Sequence, residues 1–164
     1  MIKDLTLRKA VELAVITEQL GADFYDRMKH KFAARKELVE IFDQLVRDER
    51  KHETQFKKIL ETVPEQDIKD EQSDQYQYLR ATAMSSFFGR DGLKDTEHIE
   101  TDEDALGKAM AFEKDTLQYY RAIRDILGEQ PQLDQIINAE RTHVIALMKV
   151  IIADARFRGL DYDW

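Results

Sequence analysis

The chain has 164 residues, of which 43% are apolar and 35% charged, and its formal net charge is -8. This length suits a single domain with a sizeable core, and a content of only six Gly and two Pro indicates long helices. An acidic chain is a poor candidate for nucleic-acid binding, because the phosphate backbone attracts Lys and Arg. The absence of cysteine excludes disulfides, thiol catalysis and Cys-ligated metal centres within this chain.

We expect no signal peptide at the amino terminus. It runs directly into an amphipathic pattern without the apolar region of a signal peptide. No apolar run approaches the roughly 20 residues that a membrane span needs. We therefore expect neither a membrane nor nucleic acid as a partner, and a cytoplasmic location.

Apolar residues that recur every three or four positions predict two long helices in the first part of the chain. The first is expected over about residues 5 to 29, with Asp4 capping its free backbone amides. The second is expected over about residues 36 to 62, and Pro64 marks its end. The short link between them makes the two helices an antiparallel hairpin.

Two more long helices are predicted in the second part of the chain. The third begins near Thr101, where Asp104 three residues later forms a capping-box pattern, and it ends before Gly128. The fourth begins at Pro131, which suits a first helical position, and frays past Asp154.

About 37 residues separate the second long helix from the third. An unstructured loop of that length is unusual, so we expect a shorter helix over about residues 73 to 88. Two helical hairpins joined by a long crossover are the connectivity of ferritin-like bundles. The predicted fold is therefore an all-α, ferritin-like four-helix bundle that occupies residues 1–164 as a single domain.

The pattern Glu-Arg-x-His occurs twice, at residues 49–52 and 140–143. Each copy follows a lone Glu on the apolar stripe of the preceding helix, Glu18 before the first copy and Glu113 before the second. The Glu and His of one copy share a helix face because they are three residues apart. A carboxylate on an apolar face is costly to bury unless it has a partner.

Four carboxylates and two imidazoles at the middle of a four-helix bundle are a ligand set for a pair of metal ions. Carboxylate oxygen with imidazole nitrogen suits iron or manganese, and zinc remains open. The predicted metal ligands are Glu18, Glu49, His52, Glu113, Glu140 and His143.

With this pattern, the chain resembles the rubrerythrin branch of the ferritin-like di-iron carboxylate superfamily, and its ligand pattern is similar to that of bacterioferritin. The resemblance covers about residues 5 to 155. It implies two iron ions, or manganese or a mixed pair, bridged by Glu49 and Glu140. The same resemblance implies that the other four ligands act in pairs, Glu18 with His52 and Glu113 with His143.

Tyrosines on the same helices are further candidates. Tyr25 follows Glu18 by seven residues, a spacing that is familiar in these families. A phenol there would hydrogen-bond a ligand or supply an electron, or it would simply fill the core. Tyr119 and Tyr120 are similar candidates on the third long helix. Of the three tyrosines, we expect Tyr25 and Tyr120 to take part in catalysis.

Three departures from the family patterns narrow the expectations. Thr116 stands where rubrerythrins usually have a second Glu on the third long helix. Arg50 stands where bacterioferritin has a haem-ligating Met, so we expect no haem. Without cysteine the chain has no rubredoxin domain, and electrons are expected from an external electron-donor protein.

The resemblance implies a non-haem di-iron oxidoreductase that reduces hydrogen peroxide or dioxygen. Three alternatives stay open: a ferroxidase in an iron-storing shell, a di-iron monooxygenase, and a structural helical interaction protein. Bundles of this kind commonly pair, so we expect a homodimer or a larger homo-oligomer.

Overall fold

The computed structural model describes residues 5–64, 72–83, 93 and 96–157. These residues form five helices and no strand, namely α1 (Leu7–Lys31), α2 (Lys36–Thr62), α3 (Asp74–Ala83), α4 (Asp102–Leu127) and α5 (Pro131–Phe157). The predicted all-α fold with four long helices and one short helix is confirmed. The expected extension of the short helix to residue 88 and the carboxyl-terminal tail lie outside the described residues.

The helix ends follow local capping rules, with one correction. α1 is capped by Thr6, whose hydroxyl accepts a hydrogen bond from the backbone N–H of Lys9 at 3.1 Å. The prediction that Asp4 is the cap was wrong, because the helix begins later than the apolar pattern suggested, and Asp4 itself lies outside the described residues.

The predicted capping box of α4 is confirmed. The backbone N–H of Asp104 donates to the Thr101 hydroxyl at 3.1 Å, and the Asp104 carboxylate accepts from the Thr101 N–H at 3.2 Å. Gly128 follows α4 with a φ of 83°, in the left-handed region that favours glycine. The helix therefore starts and stops where side-chain and backbone chemistry favour it.

The long helices pack as two hairpins. α1 pairs with α2 and α4 with α5, while α1 also contacts α4 and α2 contacts α5. The short α3, within the crossover, packs on α4. No helix in the described part of the chain has an apolar stretch long enough to cross a bilayer.

The core consists of two apolar clusters, one toward each end of the bundle. On α1, Val15 belongs to one cluster and Phe24 to the other, and Glu18 lies between them. On α2, Val46 and Phe56 enclose the Glu-Arg-x-His segment in the same way. The same arrangement recurs on α4 and α5, so the predicted ligands share one layer halfway along the bundle.

Candidate metal centre

All six residues predicted as ligands are buried in this middle layer, although ionisable side chains are rarely buried without partners. None exposes more than 4% of its surface. They come from four helices: Glu18 from α1, Glu49 and His52 from α2, Glu113 from α4, and Glu140 and His143 from α5.

The six residues form two overlapping groups of potential ligand atoms. The first group consists of Glu18, Glu49, His52 and Glu140, and the second of Glu49, Glu113, Glu140 and His143. Within each group, one ligand atom per residue lies within 4.8 Å of every other. Glu49 and Glu140 are common to both groups, which is the arrangement of two neighbouring cation positions with shared carboxylates.

Several polar atoms of this layer are buried without a hydrogen-bond partner. They are Glu18 Oε2, Glu49 Oε1, His52 Nδ1 and Glu140 Oε1. His52 Nδ1 and Glu140 Oε1 nevertheless lie 2.8 Å apart, within ion-pair distance. All four atoms belong to residues of the first ligand group, so one cation would coordinate them together. The oxygen and nitrogen donors of both groups fit iron or manganese.

Both imidazole rings turn Nδ1 toward the carboxylates. His52 Nδ1 lies 3.5 Å from Glu18 Oε2, and His143 Nδ1 lies 3.2 Å from Glu113 Oε2. The two rings are stacked with their centroids 5.5 Å apart. The nitrogen donors of the two groups therefore face the same enclosed layer as the oxygen donors.

Crowding of four carboxylates changes their acidity. Burial, followed by the negative charge of Glu140, raises the pKa of Glu113 to about 8. Burial and the charges of Glu18 and Glu113 raise the pKa of Glu49 well above its ordinary value. Without metal, this layer keeps protons that cations would replace.

The imidazoles hold protons for the same reason. Burial alone lowers the pKa of His52, but Glu140 and Glu18 outweigh it and raise that pKa to about 10. Burial likewise lowers the pKa of His143, and its contacts with carboxylates, first of all Asp48, raise it to about 12. In the metal-free protein, the two histidines are therefore the main counter-charges of the centre.

Both candidate tyrosines lie at the centre, and each contacts a glutamate of the other hairpin. The Tyr25 hydroxyl on α1 donates to Glu113 Oε1 on α4. The Tyr120 hydroxyl on α4 donates to Glu18 Oε1 on α1 at 2.5 Å. Burial raises the pKa of both phenols, so both remain protonated donors. Tyr119 differs, because its hydroxyl donates to the backbone carbonyl of Ala10 at 2.7 Å.

Small residues follow the outer glutamates by three positions. A methyl group at Gly21 would lie 2.7 Å from Glu49 Oε2 and 2.7 Å from the Phe112 ring, so the glycine leaves room for both. Thr116 donates its hydroxyl to the Glu113 carbonyl at 3.1 Å and lies 3.4 Å from Glu140 Oε2. The position of the usual second rubrerythrin Glu is therefore inside the centre and holds a hydroxyl.

The sequence patterns did not predict one residue of the site, Asp48. Asp48 Oδ2 lies 3.2 Å from His143 Nε2, on the side of the ring that faces away from the glutamates. The same oxygen accepts a hydrogen bond from Gln44 at 2.8 Å. Asp48 directly precedes Glu49, but it lies on the polar side of α2, and helical spacing does not reveal a contact with another helix.

Comparison with known proteins gives one kind of match. A family model described as Rubrerythrin matches residues 9–143, a span that contains all six predicted ligands and both tyrosines. No match was found among curated proteins or among solved structures.

Proposed function

The chain belongs to the rubrerythrin family, and from this membership and its buried centre we propose that it is a non-haem di-iron oxidoreductase. The proposed reaction is the reduction of hydrogen peroxide or dioxygen. Reduction of one peroxide to two water molecules consumes two electrons and two protons. Two ferrous ions would supply the electrons and act as Lewis acids.

The observation that carries this proposal is the buried layer of four glutamates and two histidines. Glu18 Oε2, Glu49 Oε1, His52 Nδ1 and Glu140 Oε1 have no hydrogen-bond partner, and the two ligand groups share two carboxylates. A purely structural helix bundle would gain stability from apolar residues at these positions. The chain instead keeps a costly constellation whose donor types suit iron.

In the proposed centre, the shared carboxylates would hold the two cations close together. Glu49 and Glu140 belong to both ligand groups, and they come from helices that contact each other directly. Each remaining pair, such as Glu18 with His52, would complete one cation position. The rigid helices fix these side chains before any metal binds, which reduces the reorganisation that binding requires.

The tyrosines would keep the outer carboxylates oriented. Tyr25 and Tyr120 donate to Glu113 Oε1 and Glu18 Oε1, which leaves the second oxygen of each glutamate directed toward the ligand groups. Both hydroxyls are protonated donors in direct contact with ligand carboxylates. We propose that either hydroxyl can hold or pass on a proton that the reduction consumes.

Aromatic rings would exclude bulk water from the reaction. Phe42 stacks on Tyr25 with ring centroids 5.9 Å apart, and Phe56 contacts Tyr120 at 4.7 Å. Phe112 contacts Tyr25 edge-on at 5.9 Å. All three phenylalanines are buried, so the centre is enclosed by apolar surface toward both ends of the bundle.

Two partner assignments belong to the same proposal. The chain has no cysteine for an iron–sulfur centre of its own, so re-reduction would need an external electron-donor protein. The functional unit would be a homodimer or a larger homo-oligomer. Particle size in solution tests the second assignment, and a hollow shell of many subunits would favour iron storage over oxidant reduction.

The reaction is tested by rapid mixing. The metal-free chain is loaded anaerobically with two ferrous ions and mixed with peroxide or with dioxygen, while the near-ultraviolet band of the oxidised diferric centre is followed. Faster oxidation by peroxide supports a peroxidase. Faster oxidation by dioxygen points to an oxidase or ferroxidase. The Glu140→Gln variant is the control that lacks a ligand. If the native chain, like this variant, gives no band with either oxidant, the proposal is contradicted.

A further inference from the structure

The two hairpins differ at the position before the shared glutamates. Asp48 precedes Glu49 on α2, and Ala139 precedes Glu140 on α5. Both positions are half-buried. The two segments share their Glu, Arg and His residues, so the Asp–Ala difference directly before them is a local break in the repeat.

Of the two ligand histidines, His143 alone has an outer carboxylate among the described residues. Asp48 Oδ2 lies 3.2 Å from His143 Nε2 and is held in turn by Gln44 at 2.8 Å. The Asp48 side chain is 30% exposed, so this chain of contacts leads from the centre to the surface of α2.

The opposite ring has no such support in the part of the chain that the structure describes. His52 approaches Glu18 and Glu140, and both approaches are made by Nδ1. Among the described residues, no carboxylate lies within ion-pair distance of its Nε2. The residue that corresponds to Asp48 in the sequence of the other hairpin is Ala139, which has no carboxylate to offer.

A carboxylate on the outer nitrogen of a ligand imidazole has a definite effect. It fixes the proton on that nitrogen, orients the ring, and makes the inner nitrogen a better donor. Loss of such a partner typically weakens metal binding about 10–100-fold. The two ligand groups of this chain are therefore unequal in a property that governs affinity.

We propose that the two cation positions have unequal affinities and that the position served by His143 is the tighter one. The ion at the His52 position would bind second and leave first when metal is scarce. This inference rests on the proposed metal centre and adds an order of filling and the residue that sets it. Asp48 acts through His143 and is a positioning residue.

Anaerobic titration of the metal-free chain with Co²⁺ tests the inference, because Co²⁺ reports its coordination by visible absorption and is not oxidised during the measurement. The native chain should bind two ions in separate steps. Asp48→Asn should weaken the first step about 10–100-fold, so that the steps merge. Ala139→Asp should strengthen the second step by supplying His52 with the missing partner.

A matched control is Asp43→Asn, on the same helix. Asp43 pairs with Lys29 at 3.2 Å and with Arg47, and has no described contact with His143. Asp43→Asn removes the same charge from α2 as Asp48→Asn does, and it should leave both steps of Co²⁺ binding unchanged. Its titration separates the Asp48–His143 contact from a general effect of surface charge.

Proton NMR assigns the first step to a histidine. After one equivalent of Co²⁺, the imidazole N–H of His143 should give a strongly shifted signal that exchanges slowly with solvent, because Asp48 holds it. The signal should disappear in Asp48→Asn. A purely structural role of Asp48 would not affect this signal.

The outcomes separate this inference from the proposed function. Two equal steps in the native chain, or an Asp48→Asn titration that superimposes on the native one, would overturn the inference and leave the metal centre intact. A first step strengthened by Ala139→Asp would also overturn it, since the order of the sites would be reversed. A native chain that binds no Co²⁺ or iron would refute the metal centre itself.

Discussion

The α1–α2 hairpin and the α4–α5 hairpin carry the same reactive groups in the same order. Each has a Glu, a Tyr seven residues later, and a Glu-x-x-His segment on its second helix. They differ beside these groups, where Gly21 corresponds to Thr116 and Asp48 to Ala139. The groups that would touch metal repeat in both hairpins, whereas their neighbours differ and would tune the two cation positions separately.

The sharpest test of this comparison uses shared and unshared ligands. Glu49→Gln and Glu140→Gln should each weaken binding at both cation positions, by more than the roughly 10–100-fold that loss of an outer-shell partner costs. Glu18→Gln should weaken mainly one position, because Glu18 belongs to one ligand group. Equilibrium dialysis against ferrous iron under anaerobic conditions measures the ions bound per chain. Equal losses in all three variants would contradict the division into two groups.

The second prediction concerns pH and the metal-free protein. The folded-state pKa is about 10 for His52 and about 12 for His143, against an ordinary 6.5. The folded state therefore binds more protons than the unfolded state above about pH 6.5, and the free energy of unfolding should fall as pH rises toward about 10. The raised pKa of Glu113, about 8, adds a loss in the same direction between about pH 4.5 and 8.

Urea denaturation of the metal-free chain across this pH range measures the effect. Proton NMR should show His52 losing its proton at a lower pH than His143, which distinguishes the two hairpins directly. Bound metal should remove most of the dependence, since the cations replace the protons. Stability that rises between about pH 7 and 10 without metal would refute the assignment of these charges.

The small residues beside the ligands give the third prediction. Gly21→Ala should destabilise the protein by about 1–3 kcal/mol, because its methyl group would overlap Glu49 and Phe112. Gly107→Ala on α4 is the matched control, since a methyl group there meets nothing within 4 Å. The control should gain up to about 1 kcal/mol of helix stability. Chemical denaturation of both variants measures the contrast, and a Gly21→Ala variant as stable as its control would show that the close packing is not required.

The tyrosines give the fourth prediction. Tyr25→Phe and Tyr120→Phe each remove a buried hydrogen bond to a glutamate, which costs about 1–3 kcal/mol. Tyr119→Phe removes a hydrogen bond of comparable burial to the Ala10 carbonyl. All three should lower the midpoint of denaturation, but only the first two should slow oxidation of the iron-loaded chain in rapid-mixing experiments. If Tyr119→Phe slows oxidation as much as the other two substitutions do, Tyr25 and Tyr120 are core residues without a specific role at the centre.

The sequence predicted the bundle and the six ligand candidates for one physical reason. A Glu on an apolar stripe conflicts with the hydrophobic pattern around it, and the conflict is visible in the chain order alone. Gly21 is a conflict of the same kind, since a glycine inside a helix costs stability relative to alanine. The structure shows why a larger residue would not fit there, because Glu49 and Phe112 pack against it.

The sequence could not predict the features that depend on two helices meeting at a particular height. Asp48 lies on the polar side of α2 and becomes part of the site only because His143 of α5 stands opposite it. The hydrogen bonds from each tyrosine to a glutamate of the other hairpin depend on the same kind of contact. The cap of α1 was misplaced because Asp4 and Thr6 are both good capping residues, and the choice between them depends on where the core ends.

The most direct test of the central claim is X-ray diffraction from crystals soaked anaerobically in ferrous iron, with anomalous data collected at the iron edge. We predict two anomalous peaks in the middle layer of the bundle, about 3.5–4 Å apart. One peak should lie by Glu18 and His52 and the other by Glu113 and His143, with Glu49 and Glu140 contacting both. Iron found only at surface carboxylates, with the six residues unchanged, would contradict the di-iron centre.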